Sequence, residues 1–179
     1  MTVKNLSRLL AKLDALGGDV NQALKIGVAQ GAKKVAGDAK MLAPVNDGEL
    51  RNSINDDVKV EGDKIVGEVY TNAEHAPYVE FGTGPVGMAS DKGELPHDVL
   101  SKLSYRHNGW WIHESQIDAK TAEKYHFVRR ETDDGVFYYT EGQPAQPFLF
   151  PAANQNKDIV PKMVAAVIRQ KIKGLGGES

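Results

Sequence analysis

Leu6, Leu9, Leu10 and Leu13 recur at intervals of three and four, the spacing of one helix face, and predict a first helix over about 3–16. Thr2 is placed to cap its start, and the Gly17–Gly18 pair to end it. A longer helix is then expected over about 19–42. Val20, Leu24, Val28, Gly31, Val35 and Ala39 step along one stripe, while Lys25, Lys33, Lys34, Asp38 and Lys40 fall where they can stay in water. The stripe holds Ala, Gly and Val, so a neighbour can approach this helix closely. Pro44 stops it, because the residue before a proline avoids the helical region.

The pattern then changes period. Asp47-Gly48-Glu49-Leu50 reads as a capped turn, and DVKVEGDKIVGEVYT alternates apolar with charged residues. That alternation predicts half-buried strands over about 56–61 and 64–71, joined at Gly62-Asp63. HAPYVEFGTGP follows and opens a turn-rich stretch to about residue 108. A second hairpin is expected over about 125–131 and 135–140, around Thr132-Asp133-Asp134-Gly135. Val160, Met163, Val164, Val167, Ile168 and Ile172 make a closing helical stripe over about 152–173. Pro161 either starts the main part of that helix, with Asp158 near its cap, or kinks it. The GLGGES tail is expected to fray.

These elements predict an α+β fold, an antiparallel sheet of two hairpins packed against a long N-terminal helix and a C-terminal helix. The 179 residues suit a single domain, 1–179, with an inserted hairpin-containing segment at about 85–142. A chain of this length buries about two-thirds of the surface its unfolded form exposes. It has no cysteine, which excludes disulfides, thiol nucleophiles and cysteine-based zinc sites and suits a reducing cytoplasm. No stretch approaches a secretory signal or the ~20 apolar residues of a membrane span, so a soluble chain with no membrane partner is expected. With 22 basic and 24 acidic residues the net charge is −2, which gives no global drive toward nucleic acid.

Candidate chemistry is sparse. His97, His107, His113 and His126 lie near Glu94, Asp98, Glu114, Asp118 and Glu123, but their intervals of ten, six and thirteen match no metal-ligand spacing. They read as polar, partly buried histidines of the insert, so no metal and no cofactor is expected. His113-Glu114-Ser115 lacks any nucleophile elbow or triad order. Phe81-Gly82-Thr83-Gly84 lacks the lysine of a P-loop and the third glycine of a dinucleotide site, and reads as a tight turn against a neighbour. Trp110 and Trp111 are adjacent, so on a strand they face opposite ways; core packing of both is the first reading, and one in the core with the other against a protein partner the second. Base stacking is the rival reading, and the mixed charge nearby does not track a phosphate backbone. Lys162, Arg169, Lys171 and Lys173, like Lys33, Lys34 and Lys40, read as solvated helix faces, with contact to DNA in a channel as the alternative. No residue is a catalytic candidate, and a non-enzyme is expected.

As an ordered set the segments say more. A long helix ends in Ala43-Pro44-Val45 and is followed by Asp47-Gly48-Glu49-Leu50-Arg51-Asn52-Ser53-Ile54. A hairpin leads to Ala76-Pro77-Tyr78-Val79-Glu80-Phe81-Gly82-Thr83-Gly84. After the insert come Pro144-Ala145-Gln146-Pro147-Phe148-Leu149-Phe150-Pro151-Ala152-Ala153 and a final helix. Over about 20–84 and 143–173 this resembles the "gene product ten" type family of neck and tail-completion proteins of long-tailed bacteriophages and prophages, with which the minor tail protein Z of lambda-like phages is often grouped. The insert is longer than the family's minimal connection.

The resemblance implies a virion structural protein of the neck or tail, assembled in the bacterial cytoplasm and acting in tail completion and head–tail joining. It implies a ring of copies of itself, a hexamer favoured, with head-closure, tail-terminator or tail-tube proteins as partners and DNA only as passing cargo. The structural and interface candidates are Pro77, Tyr78, Val79, Phe81, Gly82, Gly84, Trp110, Trp111, Pro147, Phe148 and Pro151. Pro77 is expected to set Tyr78, Val79 and Phe81 against the core edge, and Gly82 and Gly84 to permit a reversal. Pro147 and Pro151 are expected to be rigid turns flanking the anchor Phe148, with Leu149 facing the other way. Two other classes compete: a metal-dependent phage enzyme such as a nuclease, and a monomeric regulatory binding module.

Overall fold

The computed structural model describes residues 6–45, 48–93 and 95–176, and the side chains of those between 17 and 174. Thr2, Asp47, Glu94, the leucine face of residues 6–13 and the last three residues lie outside what is described. The fold is α+β, and the chain divides into two compact units, one of residues 1–73 with 148–179 and one of 74–147. The second unit is wider than the segment 85–142, because the Pro77–Gly84 stretch groups with it.

In the first unit a single helix, α1 (Leu6–Leu42), replaces the two expected. Gly17 and Gly18 do not adopt the left-handed conformation that would cap a helix end. A glycine inside a helix costs only about 1 kcal/mol relative to alanine, too little to break a helix held by packing further along. Among the described residues the buried face of α1 is made of Ala23, Gly27, Gly31, Ala32, Ala36 and Ala39, with Ala43 buried just past its end. Small residues let neighbours come close, as the stripe implied: a Cβ on Gly31 would lie 2.6 Å from Val160 Cγ1, and one on Gly67 would lie 2.9 Å from Val28 Cγ1.

Gly48, at φ 87°, leads into a short helix, α2 (Glu49–Ser53), where a plain turn was expected. Ser53 Oγ donates to the Leu50 carbonyl at 2.8 Å and lies 2.6 Å from Thr71 Oγ1, tying the end of α2 to the sheet. The strands β1 (Ile54–Glu61) and β2 (Lys64–Thr71) pair antiparallel with Val58 opposite Gly67. Gly62, at φ 64°, makes the turn that its position implied. The face carrying Gly67 lies on α1, and the opposite face carries Asp57, Lys59, Glu61, Val66, Glu68 and Tyr70.

The expected closing helix is two helices, α7 (Leu149–Asn156) and α8 (Ile159–Gly176). Pro161 sits in the first turn of α8, where its missing N–H costs no bond, and so starts the helix without kinking it. Helical backbone runs on to Gly176, past the expected end near 173.

The second unit holds four short helices and a three-stranded sheet. The helices are α3 (Ala76–Phe81), α4 (Gly84–Ala89), α5 (His97–Leu100) and α6 (Ala119–Lys124). The first two fall where turns were expected. Pro77 and Pro85 each stand in a first helical turn, where proline favours a helix. The strands β3 (Trp110–His113), β4 (Val128–Thr132) and β5 (Gly135–Thr140) order as β3-β5-β4. One sheet of two hairpins is therefore not what forms. β5 has β3 on one edge and β4 on the other, so neither edge is left for the β1–β2 hairpin, which leans on α1 instead.

Candidate contact surfaces

Gly82 and Gly84 carry φ angles of 73° and 61°, so both take the left-handed region that L side chains avoid. The reversal they permit is zipped to the chain returning at 141–146. Thr83 N donates to the Gln143 carbonyl at 2.9 Å, Gln143 N to Thr83 Oγ1 at 3.1 Å, and Gln146 N to the Val79 carbonyl at 2.8 Å. Gly142, at φ 91°, completes the contact: a Cβ there would lie 2.0 Å from the Thr83 carbonyl oxygen. The paired glycines thus make a close approach of backbone to backbone. This leaves no open cradle for a phosphate.

The neighbouring side chains depart from expectation. Tyr78 is 58% exposed and does not seal a core edge, while Ala76 and Glu80 are buried. Helical geometry explains the exchange, since positions four apart share a face and 76 and 80 take the inward one. Val79 and Phe81 are half-buried, and the Phe81 carbonyl accepts a 2.9 Å bond from Tyr105 Oη. Burial raises the Tyr105 hydroxyl above the ordinary tyrosine range. Pro77 itself is exposed.

Trp110 and Trp111 lie on β3 and diverge as adjacent strand residues must. Trp110 is half-buried, with the Arg106 guanidinium 5.2 Å from its ring centre. Trp111 is 43% exposed and tilts against Tyr139 at 5.2 Å between ring centres. Neither is a fully buried core residue. Trp111 thus stays open to solvent beside a half-buried Tyr139.

The histidines do not converge. His113 Nδ1 lies 2.8 Å from Ser115 Oγ and its Nε2 3.2 Å from the Asp134 carbonyl oxygen. Glu114 Oε1 accepts from Val136 N at 3.0 Å. These bonds pin the β4–β5 turn. Among the described residues no three His, Asp or Glu side chains come together in a way that could hold a metal ion.

In the first unit Phe148 is fully buried, as an anchor should be, and Leu149 is partly exposed. Pro147 lies in irregular backbone before α7, but Pro151 lies in the first turn of α7 and is no turn residue. Sequence reasoning missed a buried polar link of this unit. Asn156, 2% exposed, donates through Nδ2 to Asp38 Oδ2 at 2.6 Å and to the Ala152 carbonyl at 2.8 Å. Asp38 also pairs with Lys34, and these two partners hold its carboxyl below the ordinary aspartate range. The sequence pattern puts Asp38 on the wet face of α1, and the structure turns it partly inward. The available signal was Asn156 itself, a polar residue at helical spacing from the small residues Ala152 and Ala153.

Among the described residues the candidate positions resolve into glycine turns, a buried phenylalanine and exposed aromatic side chains. Residues 7–82 match the family model described as "Bacteriophage HK97-gp10, putative tail-component". Over this stretch the chain is similar to that family. The match takes in most of α1, the β1–β2 hairpin and α3, and it agrees with the N-terminal part of the resemblance to the "gene product ten" type family. The HK97-gp10-like family is one of phage tail components, which supports a phage structural role and a place in the virion. No curated protein and no solved structure matches the chain. Among the described residues no helix is long and apolar enough to cross a membrane.

Proposed function

We propose that this protein acts at the head–tail junction of a long-tailed phage, completing the tail and making it competent to join the filled head. The observation that carries the reading is the HK97-gp10-like match over 7–82, which spans the helix-plus-hairpin frame of the first unit. On this reading the protein works as a closed ring of identical copies, a hexamer favoured, contacting head-closure, tail-terminator or tail-tube proteins while DNA passes as cargo. A ring requires each copy to offer two different surfaces, one for each neighbour. The exposed outer face of the β1–β2 hairpin is a candidate surface for a neighbouring copy, and the exposed Trp111 a candidate contact for a different partner protein.

The test is to silence the gene in an inducible prophage and view the lysate by electron microscopy. Filled heads and tails should accumulate unjoined, and adding the purified protein should restore infectious particles. Normal particles from the silenced prophage would overturn the proposal. So would absence of the protein from purified virions.

A further inference from the structure

Resting on the ring reading, we propose that α8 of one copy docks on the outer face of the β1–β2 hairpin of the next copy, through complementary charge. Over Ile159–Gly176 the helix α8 carries Lys162, Arg169, Lys171 and Lys173 and no carboxylate. Val160 and Val164 press on Gly31 and Gly27 of α1, so the side of α8 opposite them faces outward. Lys162, Ala166, Arg169 and Lys173 lie on that side, at spacings of four, three and four, and all are exposed. Lys171 is taken up by Asp19 at 3.1 Å. The outward cations have no carboxylate partner among the described residues.

The hairpin has the opposite sign. It carries five carboxylates and two lysines between residues 54 and 71. Glu68 neutralises Lys59 within the sheet, which leaves Asp57, Glu61 and the turn residue Asp63 in excess over Lys64. All three are exposed. The apolar residues match as well: Tyr70 is 41% exposed on the outer sheet face, and Ile172 is 48% exposed beside the α8 stripe. Lengths are commensurate. The stripe from Lys162 to Lys173 spans about 16 Å at helical rise, and Asp57 to Glu61 about 13 Å at strand rise, with Asp63 in the turn just beyond.

The two surfaces do not neutralise one another within a copy. On α1, Gly27 and Gly31 face α8 while Val28 and Ala32 face Gly67, so the two neighbours approach about 100° apart and turn their outer sides away from each other. Complementary surfaces so placed make a head-to-tail contact, the kind that closes into a ring. A duplex nucleic acid fits the stripe less well, because the exposed Ala166 and Ile172 offer nothing to a phosphate backbone.

The experiment uses the full chain. Lys162→Glu, Arg169→Glu and Lys173→Glu are combined in one variant, Asp57→Lys, Glu61→Lys and Asp63→Lys in another, and all six in a third. Oligomer mass is followed by analytical ultracentrifugation at low and high salt, with circular dichroism confirming the fold of each. The wild type should assemble, and each single-sign reversal should weaken assembly by at least about tenfold in dissociation constant, an effect that salt diminishes in the wild type. The six-fold variant should recover assembly, a rescue that a merely structural role would not produce. Wild-type assembly with unaffected reversals would overturn this interface and leave the ring reading standing. A wild type that stays monomeric throughout would overturn both. Reversal of the α8 cations that abolished binding of a short DNA duplex, with assembly intact, would make the stripe a DNA surface and overturn the proposal.

Discussion

Asn156 Nδ2 donates to Asp38 Oδ2 at 2.6 Å, a bond between residues 118 positions apart that joins α7 to the C-terminal end of α1. The Asp38 side chain is 14% exposed, so its charge is partly withdrawn from water and depends on Lys34 and Asn156 for compensation.

This sets a pH dependence. Folding lowers the Asp38 pKa, so the folded carboxyl holds its proton less tightly than the unfolded one. The resulting stability is fully present above the unfolded aspartate value of about 4 and is lost as pH falls through the lower folded value. Asp38→Asn should therefore reduce stability at neutral pH, with the gap to wild type narrowing in acid. Urea unfolding from pH 7 to pH 3 checks it, and a gap that widened in acid would contradict the assignment. Asn156→Ala should cost about 1–3 kcal/mol at pH 7 in the same assay, since it removes one charge-assisted and one neutral bond.

Gly17→Ala should stabilise the protein by about 0.5–1 kcal/mol. Gly17 is exposed inside α1, its φ is not positive, and a Cβ there would meet nothing within 4 Å. If α1 instead ended at Gly17–Gly18 in a left-handed cap, alanine would destabilise it. Thermal unfolding distinguishes the two signs.

Gly142→Ala should act in the opposite sense. The residue combines φ 91° with a would-be Cβ 2.0 Å from the Thr83 carbonyl oxygen, and neither backbone can yield without breaking the 83–143 bonds. A loss of about 2–4 kcal/mol is expected from strain plus displaced bonds. Hydrogen exchange at Thr83 and Gln143 should quicken in the variant, and unchanged protection there would refute the account.

Phe148→Ala should cost about 3–5 kcal/mol, the range for emptying a fully buried aromatic site. Phe148 is 0% exposed at the entry to α7, so the loss should appear as a lower midpoint in denaturant with little change in slope. A variant with the wild-type midpoint would mean that the site collapses at no cost.

Several features of this protein follow from its sequence alone. Alternation of Val58, Val60, Ile65 and Val69 with charged neighbours, together with Gly62, set the first hairpin and its turn, because a period of two and a left-handed glycine are local properties. Local chain geometry likewise set the end of α1 before Pro44, the positive φ at Gly82 and Gly84, and the divergence of Trp110 from Trp111. The Ala and Gly stripe of α1 announced close neighbours without saying which. Tertiary structure decided the rest. Whether Gly17–Gly18 ended a helix depended on a cost of about 1 kcal/mol, which packing along the remaining 24 residues of α1 outweighs. Tyr78 turned outward and Glu80 inward because the Pro77 stretch became a helix, in which positions four apart share a face and 76 and 80 take the inner one. The second hairpin joined β3 because β5 had an edge to offer it, and strand partnership depends on chain separation that no local pattern encodes. Asp38 left the wet face because Asn156, brought from the far end of the chain, supplied the bond that a partly buried carboxylate requires.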